Sequence, residues 1–193
     1  MDVAILTVGD ELLAGDTENT NATWLADRLT GRGATVARIL VVPDEPAVLE
    51  RRLRDWADRF DRVVVTGGLG GTHDDVTVDA AAAAFDRDLV VLPDVERDVA
   101  ETVATYREER PALTERYPDL AVETEAWAAL PEGCRPLLNP VGLCPGCVVE
   151  NVVVLPGPPD EMRAIFDRVA DEFDGSTVSE TFETPAPEGA VAG

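Results

Sequence analysis

Thr66-Gly-Gly-Leu-Gly-Gly-Thr-His-Asp-Asp-Val-Thr77 is the stretch of this chain best equipped for chemistry. It follows the apolar run Arg62-Val-Val-Val65 and leads into Val78-Asp-Ala-Ala-Ala-Ala-Ala-Phe85, so a buried strand hands over to a helix there. Its four glycines let the backbone turn sharply and come close to a ligand. Successive N–H groups in such a loop form an anion-binding nest, and the start of the following helix adds positive potential. Asp74 and Asp75 stand in the same loop. Carboxylates beside an anion cradle suit a phosphorylated ligand held together with a divalent cation. A plain glycine turn has no use for the two acids.

Neither of the commoner phosphate motifs accounts for the loop. A P-loop requires a lysine, and every one of the sixteen basic residues here is arginine. Gly68-Leu-Gly70 begins a dinucleotide fingerprint, but His73 stands where its third glycine belongs.

The elements that must position this loop follow from the apolar periodicity. Val3–Val8 reads as a strand ended by Gly9-Asp-Glu11, and Ala22, Leu25, Ala26 and Leu29 mark a helix closed by Gly31 and Gly33. Thr35–Val42 is a second strand, and Asp44 is placed to cap a helix carrying Leu49, Leu53, Trp56 and Phe60. Alternating strands and helices imply parallel pairing with right-handed crossovers, and such sheets bind ligands beyond the carboxyl ends of their strands. Gly9-Asp-Glu11 and the glycine loop both lie at such ends. From Val95 to Tyr117 a charged helical region is expected, broken at Pro111. Cys147–Leu155 reads as a hairpin turning at Glu150-Asn151. Leu155-Pro-Gly-Pro-Pro159 then leads into a last helix with Met162, Ile165, Phe166, Val169 and Phe173 on one face. Pro159, Asp160 and Glu161 suit the first turn of that helix, the two acids being as well explained by capping as by function. One domain over residues 1–173 and a weakly ordered tail over 174–193 are expected.

Composition narrows the partners. The 193 residues are 45% hydrophobic and only 5% aromatic, which fits a globular α/β protein. No apolar run reaches the length of a membrane span and no basic leader precedes Val3, so a cytoplasmic protein without membrane contact is expected. Thirty-eight acids against sixteen arginines give a net charge of −22. That excess spreads over most of the length and reads as adaptation to a salt-rich interior. Without a basic patch, nucleic acid is not an expected partner. Cys134, Cys144 and Cys147 are an odd set, so disulfides are not expected, and Cys144-Pro-Gly-Cys147 reads as small apolar thiols in a turn, not a zinc site.

With these pieces in place the chain resembles the N-terminal domain of the CinA family (competence- and damage-inducible proteins), within the MoaB/Mog-type molybdopterin-binding superfamily. The resemblance rests on Gly9-Asp-Glu-Leu-Leu-Ala-Gly15 with Asn19-Thr-Asn21, and on Thr66–Thr77. Leu130-Pro-Glu-Gly133, Asn139-Pro-Val-Gly142, Pro145-Gly146 and Leu155-Pro-Gly-Pro-Pro-Asp-Glu-Met162 follow in family order, covering about residues 3–173. Gly71 stands in place of the proline usual in the loop, His73 puts a titratable ring beside two acids, Leu143-Cys144 replace the usual Thr-Ala pair, and Pro158 adds a proline to the last loop.

The resemblance implies a three-layer α/β/α fold around a mostly parallel sheet, and self-association as a dimer or trimer. It also implies a pocket for a small phosphorylated ligand. Carried over by position, that pocket takes Gly9, Asp10 and Asn21 from the first segments, and Thr66, Gly67, Gly68, Leu69, Gly70, Thr72 and Thr77 from the loop. Asn139, Gly142, Pro156 and Gly157 come from the later segments. Some members are metal-dependent pyrophosphatases acting on ADP-ribose. In that reading Mg²⁺ or another divalent cation is held by Asp75 with Asp74 or Glu11, and N–H groups from Gly67 to Thr72 stabilise the developing charge. Asp75, Glu11 and Asp44 are then the catalytic candidates, Asp44 being either a general base or a helix cap. The alternative is a module that binds molybdopterin, or supports its adenylation, without hydrolysis, and a third reading is a structural partner that has lost the chemistry. Many family members continue into a domain that deamidates nicotinamide mononucleotide, and that activity is not expected of this chain.

Overall fold

Val3 and Ile5 face one way along the first strand and Ala4 and Leu6 the other, and all four are fully buried. A strand apolar on both faces must be covered on both faces. The computed structural model, which describes residues 1–70, 75–109 and 124–177, meets that demand with helices on either side of a six-stranded sheet. In chain order, β1 (Asp2–Val8), α1 (Asp10–Ala14), α2 (Thr20–Gly31), β2 (Thr35–Val42), α3 (Pro46–Ala57), β3 (Arg62–Thr66) and α4 (Thr77–Ala84) form the first half. β4 (Leu89–Val91), α5 (Pro93–Glu109), α6 (Thr124–Ala128), β5 (Ala129–Pro131), β6 (Arg135–Leu137), β7 (Gly146–Val149), β8 (Val152–Leu155) and α7 (Pro159–Phe166) follow.

The sheet order is β2-β1-β3-β8-β7-β6, with β2, β1, β3 and β8 parallel and β7 antiparallel to both its neighbours. A separate antiparallel pair joins β4 to β5. On one face Ala4, Leu6, Val63 and Val65 pack with Leu49, Leu53 and Trp56 of α3, Ala80, Ala81 and Ala84 of α4, and Val95 and Val99 of α5. On the other, Val3, Ile5, Val64 and Val153 pack with Leu25 and Leu29 of α2 and with Met162, Ile165 and Phe166 of α7. The chain is thus a three-layer α/β/α protein. Among the described residues no helix is long and apolar enough to cross a membrane.

Several details differ from the sequence reading. Gly9-Asp-Glu11 opens a short helix, α1, where a turn is expected. Asp44 is not the cap of α3: Glu45 occupies that position without a side-chain capping bond, and the Asp44 carboxylate binds elsewhere. The last helix stops at Phe166, and Val169 and Phe173 are buried instead by a 3-10 turn over Ala170–Phe173. Beyond it the chain is held as far as Thr177, since Gly175 donates to Arg32 O (2.9 Å) and Thr177 to Gly33 O (3.1 Å). The expected break at Pro111 and the tail after Thr177 lie outside the described residues, as do Gly71, Thr72, His73 and Asp74.

Candidate functional site

β1 and β3 end level, with Thr7 opposite Thr66, so the chain leaves both strands at the same sheet edge. Gly67 and Gly68 then take φ values of +101° and +63°. A Cβ on Gly67 would meet the Val8 carbonyl, and one on Gly68 would lie 2.6 Å from Thr77 Oγ1, so both turns require glycine. Thr77 closes the loop from within: its N–H donates to Gly68 O (3.0 Å) and its hydroxyl to Gly67 O (2.7 Å). Gly67 N–H donates to Leu155 O (3.2 Å), so Gly67 supplies shape here and not a ligand donor.

Asn21, in the first turn of α2, ties three segments together. Its Nδ2 donates to Gly157 O (2.7 Å) and, at a long 3.4 Å, to Thr66 Oγ1, whose own hydroxyl donates to Pro156 O (2.6 Å). Asn21 Oδ1 is shut from solvent and accepts no hydrogen bond among the described residues. Asn19 caps α2 by accepting from Ala22 N–H (3.1 Å) and donates its amide to Thr7 Oγ1 (2.9 Å). Asp44 and Asp10 clasp reciprocally: Asp10 N–H donates to Asp44 Oδ2 (2.9 Å) and Asp44 N–H to Asp10 Oδ1 (3.4 Å). This clasp holds the loop after β2 against the start of α1.

Two cavities open at this edge. One, of about 320 Å³, is lined by Gly9, Glu11, Asn21, Asp44, Thr66, Gly67, Gly68, Asp75 and Gly157, among others. The second, of about 480 Å³, is lined by Leu69, Gly70, Tyr106, Trp127, Leu143, Cys144, Pro158 and Glu161. They meet at Gly68, Asp75 and Gly157, which line both. Among the described residues no arginine lines either cavity, while Glu11, Glu18, Asp44, Asp75 and Glu161 do. The described residues therefore offer a bound anion neutral donors, helix starts or an accompanying cation, and no arginine, to balance it. Among the described residues no three acids, histidines or cysteines gather as a ready-made metal cluster. Glu11 and Asp75 still fit a cation that takes one or two protein carboxylates and completes its shell from ligand phosphates and water. Asp74, the other expected metal ligand, and Thr72 lie outside the described residues.

Five of the expected pocket residues do other work, Asp10 in the clasp with Asp44 among them. Thr77 is buried inside the loop, and Pro156 is buried behind it as a hydrogen-bond acceptor. Asn139 is only 6% exposed and organises its own loop, accepting from Val141 N–H (3.1 Å) and Gly142 N–H (3.0 Å) and donating to Cys144 O (2.9 Å). Its remaining amide hydrogen goes to Glu161 Oε2 (2.5 Å), and Gly142 packs so tightly on that carboxylate that a Cβ would collide with it. Glu161 itself was legible only as a helix-start acid; nothing local in the sequence places it against Asn139.

The three cysteines are free thiols. Cys144 donates to Leu69 O, and burial, reinforced by the Glu161 and Asp75 charges, pushes its pKa well above the ordinary thiol value. The neighbouring Cys134 thiol, with burial, holds the Cys147 thiol well above its ordinary pKa, whereas Cys147 lowers that of Cys134. The Cys-Pro-Gly-Cys spacing is thus not used as a pair.

Comparison with known proteins agrees with this fold. The family model described as "Probable molybdopterin binding domain" matches residues 4–174. A protein of Archaeoglobus fulgidus is 36% identical over 90% of this chain and 69% of its own length, and one of Pyrobaculum arsenaticum is 44% identical over 84% and 59%. A CinA-like protein of Mycolicibacterium paratuberculosis is 34% identical over 98% of this chain, which spans only 43% of that relative. Among solved structures, CinA from Thermoplasma acidophilum superposes with a TM-score of 0.74 at 32% identity, covering 90% of this chain and 99% of that one. The molybdopterin biosynthesis enzyme MoaB from Thermus thermophilus shares the fold, with a TM-score of 0.54 at 23% identity over 91% and 98% of the two chains.

Proposed function

Because the chain belongs to the molybdopterin-binding domain family over residues 4–174, and to the CinA-like proteins within it, we propose that its joined cavities bind a phosphorylated pterin of the molybdopterin class. The observation that carries this reading is the junction at Gly68, Asp75 and Gly157 between a small polar cavity and a larger one walled by Trp127 and Tyr106. A phosphate group suits the polar side, where the glycine turns bring backbone close, and a flat ring suits the aromatic side. Asp75 and Glu11 would hold the divalent cation that offsets the ligand's charge; when bound it supplies neutralisation and polarisation of the phosphate oxygens. Asn21 and Thr66 fix the Gly157 wall, and the Asp10–Asp44 clasp fixes the opposite one.

Purification followed by acid oxidation and fluorescence of the released pterin tests the reading. Co-purifying pterin, or saturable binding of a pterin phosphate that requires Mg²⁺, is expected. A protein that carries none and binds none would refute it.

A second reading has its own observation, since Glu11, Asp44 and Asp75 line one cavity and could serve hydrolysis of a pyrophosphate such as ADP-ribose. Release of AMP and ribose phosphate from ADP-ribose with Mg²⁺ would select it over simple binding.

A further inference from the structure

We propose that Glu161 reads the ring edge of the ligand, selecting rings that present two adjacent N–H donors, the amino-and-lactam edge that guanine and pterin share. The inference deepens the binding reading above and rests on it. Among the described residues Glu161 is the only acid besides Asp75 that lines the aromatic cavity, and it stands there with Tyr106, Trp127, Leu69 and Leu143. A carboxylate only accepts hydrogen bonds, with room for about four between its two oxygens. Asn139 supplies one, to Oε2, and Oε1 accepts none among the described residues. Glu161 thus keeps acceptor capacity in the lining of a slot whose other walls, Asp75 apart, are largely apolar or aromatic, where a charge-assisted bond is strong and an unmet acceptor is costly.

The carboxylate is also held in place. Asn139 has no amide hydrogen or acceptor capacity to spare for another orientation, because its oxygen takes Val141 and Gly142 N–H and its nitrogen serves Cys144 O and Glu161. Gly142 closes on the other side of the group without a side chain. Such fixing would be superfluous for an acid that merely placed charge in the first turn of α7. Two parallel N–H groups on a ring edge would meet the carboxylate as an arginine fork does. An adenine edge would present an acceptor beside its amine and be repelled.

Guanosine diphosphate and inosine diphosphate, with Mg²⁺, are the probes, because they differ only in the exocyclic amine. Quenching of tryptophan fluorescence or calorimetry would follow their binding. The wild-type protein should favour the guanosine ligand by about 10- to 100-fold, the worth of a hydrogen bond to a charged group. Glu161→Gln can still accept from Asn139 yet turns an N–H₂ toward the slot, and it should bring that ratio to about one with little change in melting temperature. A wild-type ratio near one, or a ratio unchanged in the variant, would overturn the proposal. Should the variant not fold, the wild-type ratio decides alone. Failure of both diphosphates to bind would remove the phosphate site of the preceding section and this inference with it, whereas equal binding removes this inference only.

Discussion

Asp75 stands where the polar and aromatic cavities meet, beneath a turn so tight that a Cβ on Gly70 would strike its carboxylate. Asp75→Asn keeps the volume and removes the charge. We expect a folded protein in which Mg²⁺ no longer strengthens phosphate binding, read by calorimetry with and without the metal; an unchanged metal dependence would remove Asp75 from the site. Cys144 gives a pH prediction of definite sign. Burial first, then the Glu161 and Asp75 charges, keep the folded thiol neutral far above its ordinary range, while the unfolded thiol ionises near pH 8.5, about its reference value. A raised acid of this kind contributes stability that is whole below the unfolded pKa and is lost as pH rises toward the folded one. Cys147 acts in the same direction and the lowered Cys134 against it. The urea midpoint should therefore fall above about pH 8.5, at up to about 1.4 kcal/mol per pH unit for each such thiol. Cys144→Ala should flatten that slope. Identical slopes in the two proteins would show that the thiol is not responsible.

At the scale of elements, the α2–β2 turn and the segment after the 3-10 turn lock together. Gly33 has φ +80°, and a Cβ there would lie 2.6 Å from Thr177 O and 2.8 Å from Gly175 O. Gly33→Ala should cost about 1–3 kcal/mol, lowering the melting temperature by several degrees, and should open the chain after Phe173 to limited proteolysis. A variant as stable and as resistant as the parent would mean the segment is not docked. This docking was not legible in the sequence, because Gly175 and Thr177 act through backbone groups that leave no side-chain pattern. What was legible shares a cause: Val3–Val8 and Val63–Val65 are runs whose burial on two faces dictates strand, with glycine-rich segments at their carboxyl ends, while Thr35–Val42 is an edge strand recognised by its β-branched run although it is largely half-exposed. The stripe Met162, Ile165, Phe166, Val169 and Phe173 foretold burial correctly but not the helix end at Phe166. Periodicity reports which side chains face the core, and a 3-10 turn can keep them there. The site divides in the same way. Glycine turns and Asp75 could be read from local spacing, whereas the Asn139–Glu161 contact joins residues 22 apart and only the packing of α7 creates it.

For the molecule as a whole the decisive quantity is charge. Of 54 ionisable acids and arginines, counted as 38 and 16, the arginines among the described residues are largely engaged in ion pairs already. Several of those pairs are exposed and within one helix, such as Arg54–Glu50 and Arg97–Asp94, and contribute only about 0.3–0.5 kcal/mol apiece. The excess of 22 negative charges therefore acts as a diffuse repulsion that the fold must bear. Salt shortens its reach from about 10 Å at 0.1 M to about 3 Å at 1 M. The melting temperature should accordingly rise from about 0.1 to about 3 M KCl, although salt also weakens the arginine pairs; with so few positive charges, the loss of repulsion outweighs the loss of attraction. Any association of two copies, each carrying the same excess, should strengthen over the same range, as read by sedimentation. The cavities follow the same rule, because among the described residues their lining holds five carboxylates and no arginine. Capture of an anionic ligand should quicken with salt where a basic site would slow. A flat or falling melting temperature across this range would sink the salt-adaptation reading, and faster capture without added stability would confine the effect to the site.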